Sequence, residues 1–157
     1  MKITVTRTAN LLGPSLAAKL KTCRNPIKAH KAIGVAVGSL AQRAFTQGSL
    51  RPATWASLKP ATIKAKKRKG YGSKPLISSG ALAQSPRTVS VDSSKVVVGS
   101  DRQVGGHSLA GIHQLGSTKD GIPARAVWPF DKQGRPTERG RKAIINAARG
   151  ALAMEVK

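Results

Sequence analysis

The chain has 157 residues, a length that suits one domain, and its 28 Lys+Arg against 6 Asp+Glu give a formal net charge of +22. Residues 1–91 carry 17 of those cations and no carboxylate, a density that repels itself and points to a polyanion or an acidic protein surface as neighbour. The composition also excludes: Ala32–Leu40, the longest nearly apolar stretch, is about half a membrane span, and residues 1–7 lack the apolar block of a signal peptide.

Along the chain, Ile3 and Val5 alternate with Lys2, Thr4 and Thr6, which predicts a short strand over residues 2–8. Gly13-Pro14 ends it, and Ser15 suits the N-cap of a short helix to Lys21. The lone Cys23 has no Cys or His at metal-site spacing and is read as a spare thiol. From Lys28 to Gln47, Ile33, Val37, Leu40, Ala41, Ala44 and Phe45 recur at helical spacing and predict the main helix. Gly34 and Gly38 sit one turn apart inside it; they either admit a close neighbour or simply weaken the helix.

Residues 48–87 change texture. Prolines and glycines punctuate them, and Lys59, Lys64, Lys66, Lys67, Arg68, Lys69 and Lys74 crowd the middle, so an extended, flexible basic loop is expected over 59–75. Leu76–Leu82 reads as an apolar island with a turn of helix near Ala81. Val89 and Val91, a polar turn at 92–95 and Val96-Val97-Val98 spell a β-hairpin closed by Gly99. A helical turn carries Leu109, Ile112 and His113 as far as Gly116. Residues 117–136 are loop-like, and Thr137 caps a last helix with Glu138 at its positive end. The sum is an α+β domain: a small antiparallel sheet with a hairpin against a long helix, a C-terminal helix and the basic loop.

Catalytic constellations are nearly absent. The six carboxylates fall mostly in turns or at helix ends, and His113 has no identifiable orienting partner for work as a general base. His30 and His107 make no ligand spacing with it, so no metal, cofactor or catalytic group is expected. The run Lys64–Lys69 places five cations in six positions, a general phosphate binder by counterion release. Only Tyr71 lies near it for stacking, so base-specific readout is not expected.

One ordered set of segments is more specific. Trp55-Ala56-Ser57-Leu58 with Thr62, then Lys74-Pro75-Leu76 and Ser79-Gly80-Ala81-Leu82, precede a hairpin ending Val98-Gly99. Ala110-Gly111-Ile112-His113-Gln114-Leu115-Gly116 and Ile122-Pro123-Ala124-Arg125 follow. Over residues 55–130 this order resembles the phage virion morphogenesis family, the tail-completion proteins of Mu-like and P2-like tailed phages. The sequence departs from the family at Ser108-Leu109, where an aromatic is common, and after Arg125.

The resemblance implies a non-enzymatic structural protein of the head–tail junction, assembled in the host cytoplasm as a ring around the DNA channel. A hexamer is implied where tail symmetry applies, with neck, connector and tail-tube proteins as neighbours and no membrane contact. It implies a core of Trp55, Leu76, Leu82, Ile112 and Trp128. It makes His113 and Gln114 the orderers of the Pro123–Arg125 loop, and His113, Gln114 and Arg125 candidate subunit-interface residues. The seven lysines and arginines of 59–74 would face DNA or an acidic neighbour, and residues 1–27 would either fold with the domain or reach the next subunit. Charge alone supports an alternative, a non-specific nucleic-acid-binding protein of ribosomal or nucleoid type.

Overall fold

A computed structural model describes residues 26–154. The strand expected over 2–8, the helix from Ser15 and Cys23 lie outside the described residues, as does nearly all of the segment 1–27. In chain order the elements are α1 (Ile27–Ala44), a 3-10 turn (Gly48–Leu50), α2 (Pro60–Arg68), α3 (Ala81–Gln84), β1 (Arg87–Val91), β2 (Val96–Gly99), β3 (Gln103–Val104), β4 (His107–Ser108), α4 (Leu109–Leu115) and α5 (Glu138–Met154). The fold is α+β, with two two-stranded antiparallel sheets, β1-β2 and β3-β4.

Helix α1 is the axis. It packs along α5 on one side and under the β1-β2 hairpin on another. Its apolar spacing buries Val37, Leu40, Ala41 and Ala44, with Phe45 just past its end. The two glycines expected either to admit a neighbour or to weaken the helix prove to differ. A Cβ at Gly34 would strike Thr88 Oγ1 and come within 3.0 Å of Val96 Cγ2, so this residue lets the hairpin lie on the helix. A Cβ at Gly38 would meet Pro86 O at 3.7 Å, an ordinary contact.

The hairpin is the one predicted. Asp92 closes its turn by accepting from the Ser94 hydroxyl at 2.6 Å and from the backbone N–H groups of Ser94 and Lys95 at 2.7 and 2.9 Å. Those bonds, the Ser94 hydroxyl first, hold its carboxyl below the ordinary aspartate range. His30 Nδ1 of α1 is bonded to Asp92 O at 2.8 Å, fixing the hairpin tip over the first turns of the helix. The ladder slips between Thr88 and Ser90, leaving Val89 as an extra, outward residue.

A second hairpin, β3-β4, turns through Gly105-Gly106, both at positive φ as a two-residue reverse turn requires. The α5 cap is as expected: Thr137 Oγ1 accepts from Gly140 N at 3.2 Å. The buried cluster comprises Phe45, Trp55, Leu82, Ala110 and Val127, with Leu76 and Trp128 packed against it; Ile112 is half-buried. Phe45 meets Trp55 edge to face, with ring centroids 5.8 Å apart.

The basic segment departs from expectation. Residues 60–68 are helix, not extended loop. Pro60 begins it at a position where a missing N–H costs nothing, and Ala61, Lys64, Ala65, Lys66, Lys67 and Arg68 all favour helix. Three cations in the last turn also suit its negative end.

The two glycines give a paired prediction. Gly38→Ala gains helix propensity without a clash and raises stability by up to about 1 kcal/mol. Gly34→Ala overpacks the hairpin contact and lowers it by about 1–3 kcal/mol. Adding Thr88→Ala to Gly34→Ala restores most of the loss, read from urea midpoints at constant m-value.

Candidate functional site

The densest cationic surface is α2 and its flanks. Lys64, Lys67 and Arg68 share one exposed face of the helix by their three- and four-residue spacing, and Lys59, Lys69 and Lys74 are exposed beside them. No carboxylate lies in this stretch, and no described ion pair involves these residues. Lys66 is different. It is half-buried, and its Nζ donates to Lys74 O at 3.0 Å, to Ile77 O and to Ser78 Oγ at 3.4 Å. Of the five cations in the run, four face solvent and one ties the helix to the loop that returns toward α3.

The root of α2 is fixed from the other side by Arg125. This residue is 7% exposed, and its guanidinium donates to Ala56 O at 2.9 Å and Ser57 O at 3.1 Å. Its own N–H donates to His113 O at 2.7 Å. Trp55 Nε1 donates to Ala126 O at 2.8 Å, so segments 55–57 and 125–126 are stitched together twice. Gln114 completes the arrangement: its Oε1 accepts from Val127 N and Trp128 N at 3.0 Å each, and its Nε2 donates to Phe130 O at 3.0 Å.

His113, Gln114 and Arg125 thus stand together, brought there by α4 and the loop after it. Arg125 is buried, Gln114 is half-buried, and both direct their polar atoms into their own chain as the mount on which the basic helix stands. The His113 backbone joins that mount, whereas its Nδ1 is buried without a hydrogen-bond partner among the described residues. Burial, and then the charge of Arg125, push its pKa below the usual histidine value, so the ring is neutral at pH 7.

A cleft of about 270 Å³ lies beside His113, lined by Leu76, Ser78, Gly80 and Arg102, with no carboxylate in its lining. The described carboxylates are engaged elsewhere: Asp92 in its turn, Asp101 with Arg87, Asp120 with Ser117, Asp131 with Arg135, and Glu138 with Arg141 and Lys142. Among the described residues no cluster of His, Cys, Asp or Glu is placed to hold a metal ion. No helix among them is long and apolar enough to cross a membrane.

Arg51 was not singled out by sequence, although it organises the same region. Its guanidinium lies 3.8 Å from the Trp55 ring centroid and donates to Ala44 O at 2.8 Å and Phe45 O at 3.2 Å, closing the end of α1. Its place four residues before Trp55 was the available signal.

Two measurements check this geometry. Lys66→Met loses charge-assisted bonds to carbonyls and lowers stability by about 1–2 kcal/mol, whereas Lys64→Met, on the exposed face of the same helix, stays within about 0.5 kcal/mol of the parent. For His113 the folded state disfavours the proton that the unfolded chain takes up below about pH 6.5. Its contribution is therefore flat above that pH and is lost as pH falls from there toward the depressed folded pKa. Urea midpoints between about pH 7.5 and 5 fall less steeply in His113→Gln than in the parent.

No curated protein and no solved structure matches the chain. The model of the phage virion morphogenesis family matches residues 5–155, which encompasses α1, the mounted basic helix, both hairpins and α5. The chain belongs to the phage virion morphogenesis family.

Proposed function

We propose that this protein is a non-enzymatic structural component of the head–tail junction, a tail-completion or neck subunit. It assembles in the host cytoplasm as a homo-oligomeric ring, hexameric where it meets the tail, around the channel through which DNA passes. It acts there with other virion proteins of the neck, connector and tail tube. The observation that carries the reading is the outward face of α2, where exposed Lys64, Lys67 and Arg68, with Lys69 beside them, take part in no described ion pair on a helix anchored by internal hydrogen bonds.

Like charges three and four residues apart destabilise an isolated helix by a few tenths of a kcal/mol each. An anionic neighbour relieves that repulsion. The face offers point charges without stacking aromatics other than Tyr71, which suits a wall that tolerates any DNA sequence or an acidic protein ring. In this reading His113, Gln114 and Arg125 serve the interface indirectly, by holding α2 and the 123–130 loop in the geometry a neighbouring subunit meets. The charge also fits a free nucleic-acid-binding protein, and assembly separates the two readings.

Replacing Lys64, Lys67, Arg68 and Lys69 together with Gln leaves the fold intact. It reduces the salt slope of DNA retention by about 0.9 for each phosphate the variant no longer neutralises. With the parent protein carrying an electron-dense label, purified virions show the label at the head–tail junction. Label confined elsewhere in the particle, or absent from it, overturns the junction assignment. DNA binding by the free chain with no part in particle assembly favours the alternative.

A further inference from the structure

In a chain of net charge +22, a face that carries no excess of cations stands apart. Phe130 lines three open cavities, of about 520, 440 and 200 Å³, and Trp128 lines the first two. The three linings together hold two charged residues, Asp131 and Lys132, one of each sign, and Asp131 is bonded to Arg135 beside them. The rest is uncharged, and within it Val97 of β2 and Leu115 at the end of α4 are 40% and 61% exposed. The outer faces of the helices differ. Helix α1 exposes Lys31 and Arg43, α2 exposes Lys64, Lys67 and Arg68, and α5 exposes Arg139 and Arg149.

The aromatic loop across this face is set by its own chain. Gln114 of α4 accepts from Val127 N and Trp128 N and donates to Phe130 O. Further along, Asp131 N donates to Arg135 O at 2.8 Å and Thr137 N to Pro129 O at 2.9 Å. Trp128 and Phe130 therefore hold their places before any partner arrives, which keeps the ordering cost of docking low. Half-buried aromatic side chains on a charge-poor, concave face are what the centre of a protein–protein interface is made of.

Charge selects the partner. At physiological salt, exposed charges interact over about 8 Å, so two such chains in contact feel the charge beside the contact and not the total. An anionic partner, DNA or acidic protein, is drawn to the basic helices and gains no attraction from this face. A partner with the same excess of cations is repelled from those helices and meets no excess of like charge here. A second copy of this chain carries that excess by definition. In a ring each copy presents the face to a different patch of its neighbour, and even a basic patch is received there without strong repulsion.

We propose that the face formed by Val97, Leu115, Trp128 and Phe130 is where one copy of this chain docks against the next. The inference rests on the proposed ring and names the surface that builds it.

Sedimentation velocity of the nuclease-treated full chain over a range of concentrations reads the association, and urea midpoints check that each variant is folded. Leu115→Lys and Val97→Lys, each placing a cation on the face, weaken association at least tenfold. Val35→Lys, the same change at a 66% exposed valine of α1, leaves association at the parent's level. Raising salt from about 0.15 M to about 1 M preserves the association while it releases DNA. Oxidative footprinting of the parent needs no variant, and shows Leu115 and Trp128 becoming protected as the oligomer forms. Oligomers that form equally well in both face variants, or footprints at Leu115 and Trp128 that do not change with assembly, overturn this face and leave the ring standing. A chain that sediments as a monomer at every concentration overturns the ring and the face together.

Discussion

The structure depends on cations held inside by backbone carbonyl oxygens. Arg125 is buried and takes part in no described ion pair; Ala56 O and Ser57 O take its guanidinium protons. Lys66 does the same with Lys74 O and Ile77 O, and Arg51 with Ala44 O and Phe45 O, adding the face of Trp55. A buried charge without such partners costs several kcal/mol, and charge-assisted bonds to carbonyls offset that cost without a counter-ion. Arg125 takes up the Ala56 and Ser57 carbonyls, and together with the Trp55 Nε1–Ala126 O bond it joins the loop of 123–130 to the root of α2.

This pattern gives a physical reason why 91 residues can pass without a carboxylate and still fold. Helix α1 packs through Gly34, Val37, Leu40, Ala41 and Ala44, a face that needs no charge pairing. The inward cations around it use acceptors that every residue carries. Most carboxylates of residues 92–138 work locally, Asp92 in a turn, Asp131 with Arg135 and Glu138 at the start of α5, while Asp101 reaches Arg87 at the base of the first hairpin. Neutralisation is therefore confined to a few sites, and the face of α2 keeps its charge.

How much of this was legible follows from the range of the interactions. Helix α1, the 92–95 turn and the Thr137 cap are written in local periodicity and side-chain chemistry, and the sequence reading located all three. The β3-β4 hairpin was missed because its strands are two residues each, too short for alternation to register, although Gly105-Gly106 marked the turn. Helix α2 was masked by flanking prolines and glycines and by a charge run that resembles solvated loop; the inward turn of Lys66 that anchors it depends on carbonyls 8 and 11 residues away. The resemblance linked His113 and Gln114 to the loop ending at Arg125, but no spacing rule announces that Arg125 reaches back 68 and 69 residues to Ser57 and Ala56.

The same carbonyl-held cations bear on how a highly charged face can be both stable and available. Four outward cations on and just beyond a nine-residue helix repel one another, and a helix that short is marginal by itself. Lys66 and Arg125 fix its two flanks, so the helix does not rely on a partner to exist. A polyanion binding the folded face adds stability by mass action. Because the mount is satisfied internally, that binding need not reorganise it, and the ordering cost of association stays low. A basic helix fixed at both flanks presents its charges at set spacing, whereas an extended basic loop of the same composition would have to be ordered by each partner it met.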